Sequence, residues 1–273
     1  MIHLNIPALW QNYLPLPGVD SHKYTRGYSL VIGGGISSTG AARLAALSAL
    51  RTGSGLVSIA CDAKSLPVYA ASLLSVMLKL ANNEDELDAL LDNKHISTVL
   101  IGPGCGVSEQ TRNQTLRILS HKKPCVIDAD AISVFSQAPD VLFSAIGGPV
   151  VMTPHEAEFS RLFSLQGTRE DRACAAAKTS NACIVLKGHH TIIAAPDGQY
   201  VINKNAPAWL ATAGSGDVLA GMICGLLAQG VGAFHAACMA VWMHGRAAEI
   251  FGAGLIAEDL PSLIPEVWKE LHA

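Results

Sequence analysis

The chain has 273 residues, 50% of them hydrophobic and only 15% charged, with a formal net charge of −3. So low a charge content, against roughly 25% in ordinary soluble domains, implies extensive burial in a large core and between subunits. It gives no basic patch for nucleic acid and no apolar run long enough to span a bilayer, since residues 218–231 are interrupted by Gln229 and Gly230. Seven cysteines without a C-x-x-C pair or a secretory leader fit reduced thiols in a soluble, cytoplasmic protein.

Tyr28–Ile32 reads as a buried strand ending at Gly33, Gly34 and Gly35. An Ala/Leu helix is predicted over 41–50, closed by Gly53. Strands follow at Leu56–Cys61 and Thr98–Ile101, the latter running into Gly102-Pro103-Gly104-Cys105-Gly106 and a helix over 108–119. Cys125–Ile127 and Val150–Met152 are short strands that deliver Asp128 and Thr153 at their ends. Cys183–Leu186, 191–195 and 199–202 are strands with tight connections, the last pair turning at Pro196-Asp197-Gly198. Three helices close the chain, from about Gly216, Ala233 and Glu258.

This alternation predicts a single α/β domain over 1–273, a mostly parallel sheet with helices on both faces. In open α/β sheets ligands bind beyond the carboxyl ends of the strands. Gly33–Gly35, Gly102–Gly106, Asp128, Thr153-Pro154-His155 and Lys187-Gly188 all follow apolar runs, which predicts one shared crevice. Each taken alone reads better as a turn, a reading that weakens when all of them fall on the same side.

The most informative stretch is Ala211-Thr-Ala-Gly-Ser-Gly-Asp-Val-Leu-Ala-Gly221. Gly214, Ser215 and Gly216 let main-chain amides approach a ligand closely, and the helix predicted over 218–227 presents free N–H groups and a positive dipole end. Such a terminus binds phosphate. Asp217 would repel one; it either complements the dipole or faces a substrate hydroxyl as a base. A dinucleotide fingerprint fails, although Gly33-Gly34-Gly35 follows a strand and Asp62 stands where a ribose-binding acid belongs, because Ser38 replaces the third small residue. There is no G-K-[ST], no G-x-S-x-G, and Phe159 occupies the second His position of a zincin helix.

Thr153 can cap a helix with Pro154 in its first turn. That helix is either a plain surface element or one that turns His155 into the crevice and lets Glu158 act through water on a magnesium ion. Asp128-Ala129-Asp130 reads as a turn or as acids near that metal. Lys187-Gly188-His189-His190-Thr191 joins two strands in a loop suited to a nucleotide phosphate or ribose, with Lys187 the stronger contact.

The combination resembles the ADP/ATP-dependent NAD(P)H-hydrate dehydratases, carbohydrate-kinase-like enzymes of ribokinase fold. The resemblance rests on His22-Lys-Tyr-Thr-Arg-Gly27, Gly40-Ala-Ala42, Arg51-Thr-Gly-Ser-Gly-Leu-Val57, Ile101-Gly-Pro-Gly104, Ile127-Asp-Ala-Asp-Ala131, Thr153-Pro-His155, Leu186-Lys-Gly188 and the 211–221 stretch. It implies a three-layer sandwich and a substrate site lined by Ala41, Gly104, Gly106, His155 and Asp217. It also implies a nucleotide held by Lys187, Gly188, His189, His190, Thr191, Gly214, Ser215 and Gly216, with Mg2+ and ADP or ATP. Asp217 would deprotonate the hydroxyl of a hydrated nicotinamide ring; phosphorylation followed by phosphate elimination would restore NADH or NADPH. The alternative is a vitamin-precursor kinase of the same fold, acting on a hydroxymethylpyrimidine or hydroxyethylthiazole.

Two departures stand out: Ala157 where Gly is common, and Ala206-Pro-Ala-Trp-Leu210 in place of the usual G-N-P-G-M. The residues ahead of Tyr28 leave no room for the epimerase domain found in many relatives, so a separate epimerase is expected, as is a homotetramer.

Overall fold

The computed structural model describes residues 4–272. Nine strands join in one sheet: β1 Tyr28–Ile32, β2 Leu56–Cys61, β3 Met77–Leu80, β4 Thr98–Ile101, β5 Cys125–Ile127, β6 Val150–Met152, β7 Cys183–Leu186, β8 Thr191–Ala194 and β9 Tyr200–Asn203. Their order is β3-β2-β1-β4-β5-β6-β7-β8-β9; β1 to β7 are parallel, and β8 and β9 are added antiparallel.

The interior strands are buried on both faces, which is why they read as unbroken apolar runs. In β1, Leu30 and Ile32 join the core beneath helices Glu84–Leu91, Glu109–Ser120 and Arg169–Ser180, whereas Val31 joins the core beneath Thr39–Thr52, Ser215–Ala228 and Ala233–Phe251. The molecule is therefore a three-layer α/β sandwich. The strand Met77–Leu80 was not anticipated: it is a short, largely exposed edge strand without alternation, blunted by Lys79.

Two helix boundaries differ from expectation in a way that matters. The helix expected from Val218 begins at Ser215, with Gly214 at its N-cap at φ +88°, so Asp217 is well inside the first turn. The helix expected to be capped by Thr153 is capped instead by His155, whose Nδ1 accepts from the amides of Ala157 and Glu158. Glu158 Oε2 accepts from the His155 amide at 2.8 Å, completing a capping box built on an imidazole.

Chain order reverses between β1 and β4, a topological switch point where open sheets bind ligands. There the two glycine loops meet: a Cβ on Gly34 would sit 2.1 Å from the Gly104 carbonyl oxygen, so only glycine permits the contact. Among the described residues no helix is long and apolar enough to cross a membrane, and all seven cysteines are free.

Candidate active site

Because β1 and β4 to β7 are parallel, their glycines, acids and lysine all emerge on one edge. Lys187 leaves β7 and donates from Nζ to Asp128 Oδ1 at 2.9 Å across the end of the one intervening strand, β6. Asp128 is 1% exposed, so its charge depends on this ammonium. Burial alone would lower the Lys187 pKa, but Asp128, Glu158 and Asp217 outweigh it and hold the amine above its ordinary value. The amine also lies over the helix start: a Cβ on Gly216 would be 3.4 Å from Nζ. One cation thus joins the dipole end and free amides at the place suited to an anion.

Asp217 shares this field. Burial, then the neighbouring Asp128 and more weakly Asp130, push its carboxyl up to about 6, while Lys187 pulls the other way. Such a group is a stronger base than an exposed aspartate and is still ionised at neutral pH. An activity limited by it should fall tenfold per pH unit below about 6, and a kcat/KM profile with no acid limb near that pH would count against it.

Beside this field the glycine loops after β1 and β4 pack closely together. A Cβ on Gly104 would lie 3.4 Å from that of Ala41, and the Gly106 amide donates to Asp130 Oδ2 at 2.8 Å. His155 pairs with Lys187 in an isolated parallel bridge, which brings that helix start beside the lysine. Between Asp128 and Asp130, Ala129 adopts φ +48° and ψ −117°, a conformation glycine favours and L side chains resist. Strain of this kind costs about 1–3 kcal/mol. Ala129→Gly should raise stability by about 1 kcal/mol, after the larger unfolded-state entropy of glycine, and a urea midpoint at or below that of the parent would refute the strain.

A cleft of about 470 Å³ opens on the other side of the helix start, lined by Lys187, Gly188, His189 and Thr191, by Ser215 and Gly216, and by the departing segment Ala206-Pro207-Ala208 with Leu210. Its size and largely apolar wall suit a nucleoside. His190 does not line it; its carbonyl accepts from Arg169 Nη1 at 2.6 Å. Sequence reasoning missed Arg169, which also donates to the Leu186 and Lys187 carbonyls and so braces the loop from behind. It missed His244 as well, a cleft-lining imidazole held neutral because burial pushes its pKa down to about 4. The helix Ala233–Phe251 also carries His235, Arg246 and Glu249, so nothing local singled His244 out.

Glu158 is 6% exposed, with one oxygen committed to the His155 amide, and Thr153 Oγ1 is buried without a partner at the end of β6. No set of three or more His, Cys, Asp or Glu side chains among the described residues forms a metal cage. An ion such as Mg2+, which keeps several waters and takes few protein ligands beside phosphates, fits these donors.

Fold and site together define a ribokinase-like class: an acid in the first turn of a glycine-flanked helix, a lysine over that helix start, and a nucleoside-sized cleft. Residues 29–267 match the family model described as NAD(P)H-hydrate dehydratase, and the chain belongs to that family. It is 38% identical to an ADP-dependent (S)-NAD(P)H-hydrate dehydratase of Neisseria meningitidis over 88% of this chain and 84% of that protein. It is 35% identical to the bifunctional NAD(P)H-hydrate repair enzyme Nnr of Salinibacter ruber over 94% of this chain, spanning only 51% of that longer protein. Its structure is similar to the Bacillus subtilis ADP/ATP-dependent NAD(P)H-hydrate dehydratase co-crystallised with ATP/Mg2+, with a TM-score of 0.86, 31% identity and 99% of each chain covered.

Proposed function

We propose that this protein is a nucleotide-dependent NAD(P)H-hydrate dehydratase, a carbon–oxygen lyase that regenerates NADH and NADPH from their hydrates. The observation that carries the reading is Asp217: a carboxyl raised to about 6, flanked by Lys187 and the amides of Gly214–Gly216 on one side. The Ala41, Gly104 and Gly106 contacts form the substrate side. Asp217 takes the proton of the ring hydroxyl as its oxygen attacks the terminal phosphorus of the nucleotide. Lys187 and the amides stabilise charge on the transferring oxygens. Departure of the phosphate with the electron pair of its bond to the ring carbon, and loss of a proton from the adjacent ring carbon, then restore the double bond. With ADP as donor the products are NAD(P)H, AMP and inorganic phosphate. Mg2+, held by the nucleotide phosphates and through water by Glu158, would neutralise phosphate charge.

The 470 Å³ cleft supports the nucleotide assignment to Lys187, Gly188, His189, Thr191, Ser215 and Gly216, though not to His190. ADP is the favoured donor, in keeping with the relatives' names. We further propose that residues 1–273 act as one domain, in the cytoplasm, as a homotetramer, and that an epimerase acting in the same pathway supplies the reactive hydrate epimer. The test is to mix each hydrate with ADP or ATP and follow the absorbance of the reduced ring. Recovery with equimolar phosphate supports the dehydratase. A phosphorylated product without phosphate release would favour a vitamin-precursor kinase.

A further inference from the structure

The glycines and acid of the failed dinucleotide fingerprint converge on a second cleft. A recess of about 150 Å³ lies at the ends of β1 and β2, lined by Gly33, Gly35, Cys61, Asp62, Cys105 and, among others, the helix-borne Gln110 and Gln114. It is less than a third the size of the 470 Å³ cleft, which favours a sugar-sized polar group over a whole nucleoside. Its walls are fixed in advance. Tyr69 Oη donates to the Gly34 carbonyl at 3.1 Å, and Thr111 Oγ1 donates to the Gly106 carbonyl at 2.7 Å. Gln110 and Gln114 stand one turn apart on one helix face. Asp62 is held charged, chiefly by the backbone amide of Ser65, which donates to Oδ1 at 2.7 Å. Lys64 on the same turn does not line the recess.

The recess adjoins the glycine loops after β1 and β4, its Gly33, Gly35 and Cys105 flanking the Gly34–Gly104 contact, and it shares no lining residue with the nucleoside cleft. A dinucleotide hydrate whose reduced ring reaches Asp217 has a second ribose to place, and this polar pocket beyond the switch point accepts it. We infer that the Asp62 recess binds the adenosine ribose of the dinucleotide hydrate, the carboxylate accepting from its hydroxyls and excluding a 2′-phosphate. The enzyme is then a NADH-hydrate dehydratase first and a NADPH-hydrate dehydratase second. Placing a phosphate dianion beside a charged carboxylate is costly, whereas a diol offers donors to it.

This inference rests on the dehydratase reading, and the two fail differently. The experiment compares kcat/KM for both hydrates, with ADP, in the parent protein and in Asp62→Asn, which keeps an acceptor for the Ser65 amide. The parent should prefer NADH hydrate by at least about tenfold, a difference carried by KM. The variant should lose most of that preference, with the KM for NADPH hydrate falling and kcat and the KM for ADP unchanged. Calorimetric binding of NADH against NADPH should shift in the same sense, a readout that a merely structural role would not move. Equal effects on both hydrates, or an unaltered preference, would overturn the recess assignment while leaving the dehydratase intact. A parent protein inactive on both hydrates would overturn the dehydratase reading and the inference with it.

Discussion

Asp217→Asn should lower kcat for hydrate dehydration by about 10²–10⁴-fold, the usual effect of losing a general base. Nucleotide affinity should hold or improve, because the change removes negative charge beside the phosphates. Stability gives an independent check. The folded pKa of about 6 exceeds the ordinary 3.8. The folded state therefore binds this proton more tightly than the unfolded chain, and that contribution is present below 3.8 and lost as pH rises through about 6. The amide carries no such penalty, so the variant should melt no lower than the parent at pH 8, with its advantage gone at pH 4. Near-normal turnover, measured as absorbance recovery with saturating ADP, would remove Asp217 from the chemistry.

Lys187→Met should cost about 3 kcal/mol and at least about tenfold in nucleotide affinity. Asp128 is fully enclosed, and removing its ammonium partner leaves a buried charge uncompensated. For a chain of this size the melting temperature should fall by roughly 6–12 °C. Lys187→Met with Asp128→Asn removes both charges and should recover much of the stability, because the coupling between contacting residues is lost from both sides. The pair should not recover nucleotide affinity, since the charge over Gly216 is still missing. Full recovery of both would mean that Lys187 serves the fold alone. A double variant no more stable than the single would contradict the ion-pair argument.

What the sequence revealed follows from burial. Strands covered on both faces must be apolar throughout, so β1, β2, β4 to β6 and β7 are legible to the residue, whereas edge strand β3, largely exposed, is not. The strand-end glycines were readable because close backbone approach leaves no alternative residue; a Cβ on Gly102 would lie 1.7 Å from the Asp128 carbonyl oxygen. Partnerships were not readable. Lys187 and Asp128 are 59 positions apart, and nothing local in either segment names the other. His155 was expected in the crevice, but its role as a cap could not be anticipated, since imidazole is not among the preferred capping groups. Arg169 opens the helix Arg169–Ser180, and only tertiary structure shows it holding the Leu186, Lys187 and His190 carbonyls.

The central claim is that the ring hydroxyl is phosphorylated before it leaves. Hydrate carrying oxygen-18 in that hydroxyl, turned over with unlabelled ADP in unlabelled water, tests this directly. Transfer of the phosphoryl group to the hydroxyl followed by cleavage of the carbon–oxygen bond predicts one labelled oxygen in every inorganic phosphate released. Label in the solvent, with phosphate unlabelled, would mean that water leaves directly and that the nucleotide has another purpose.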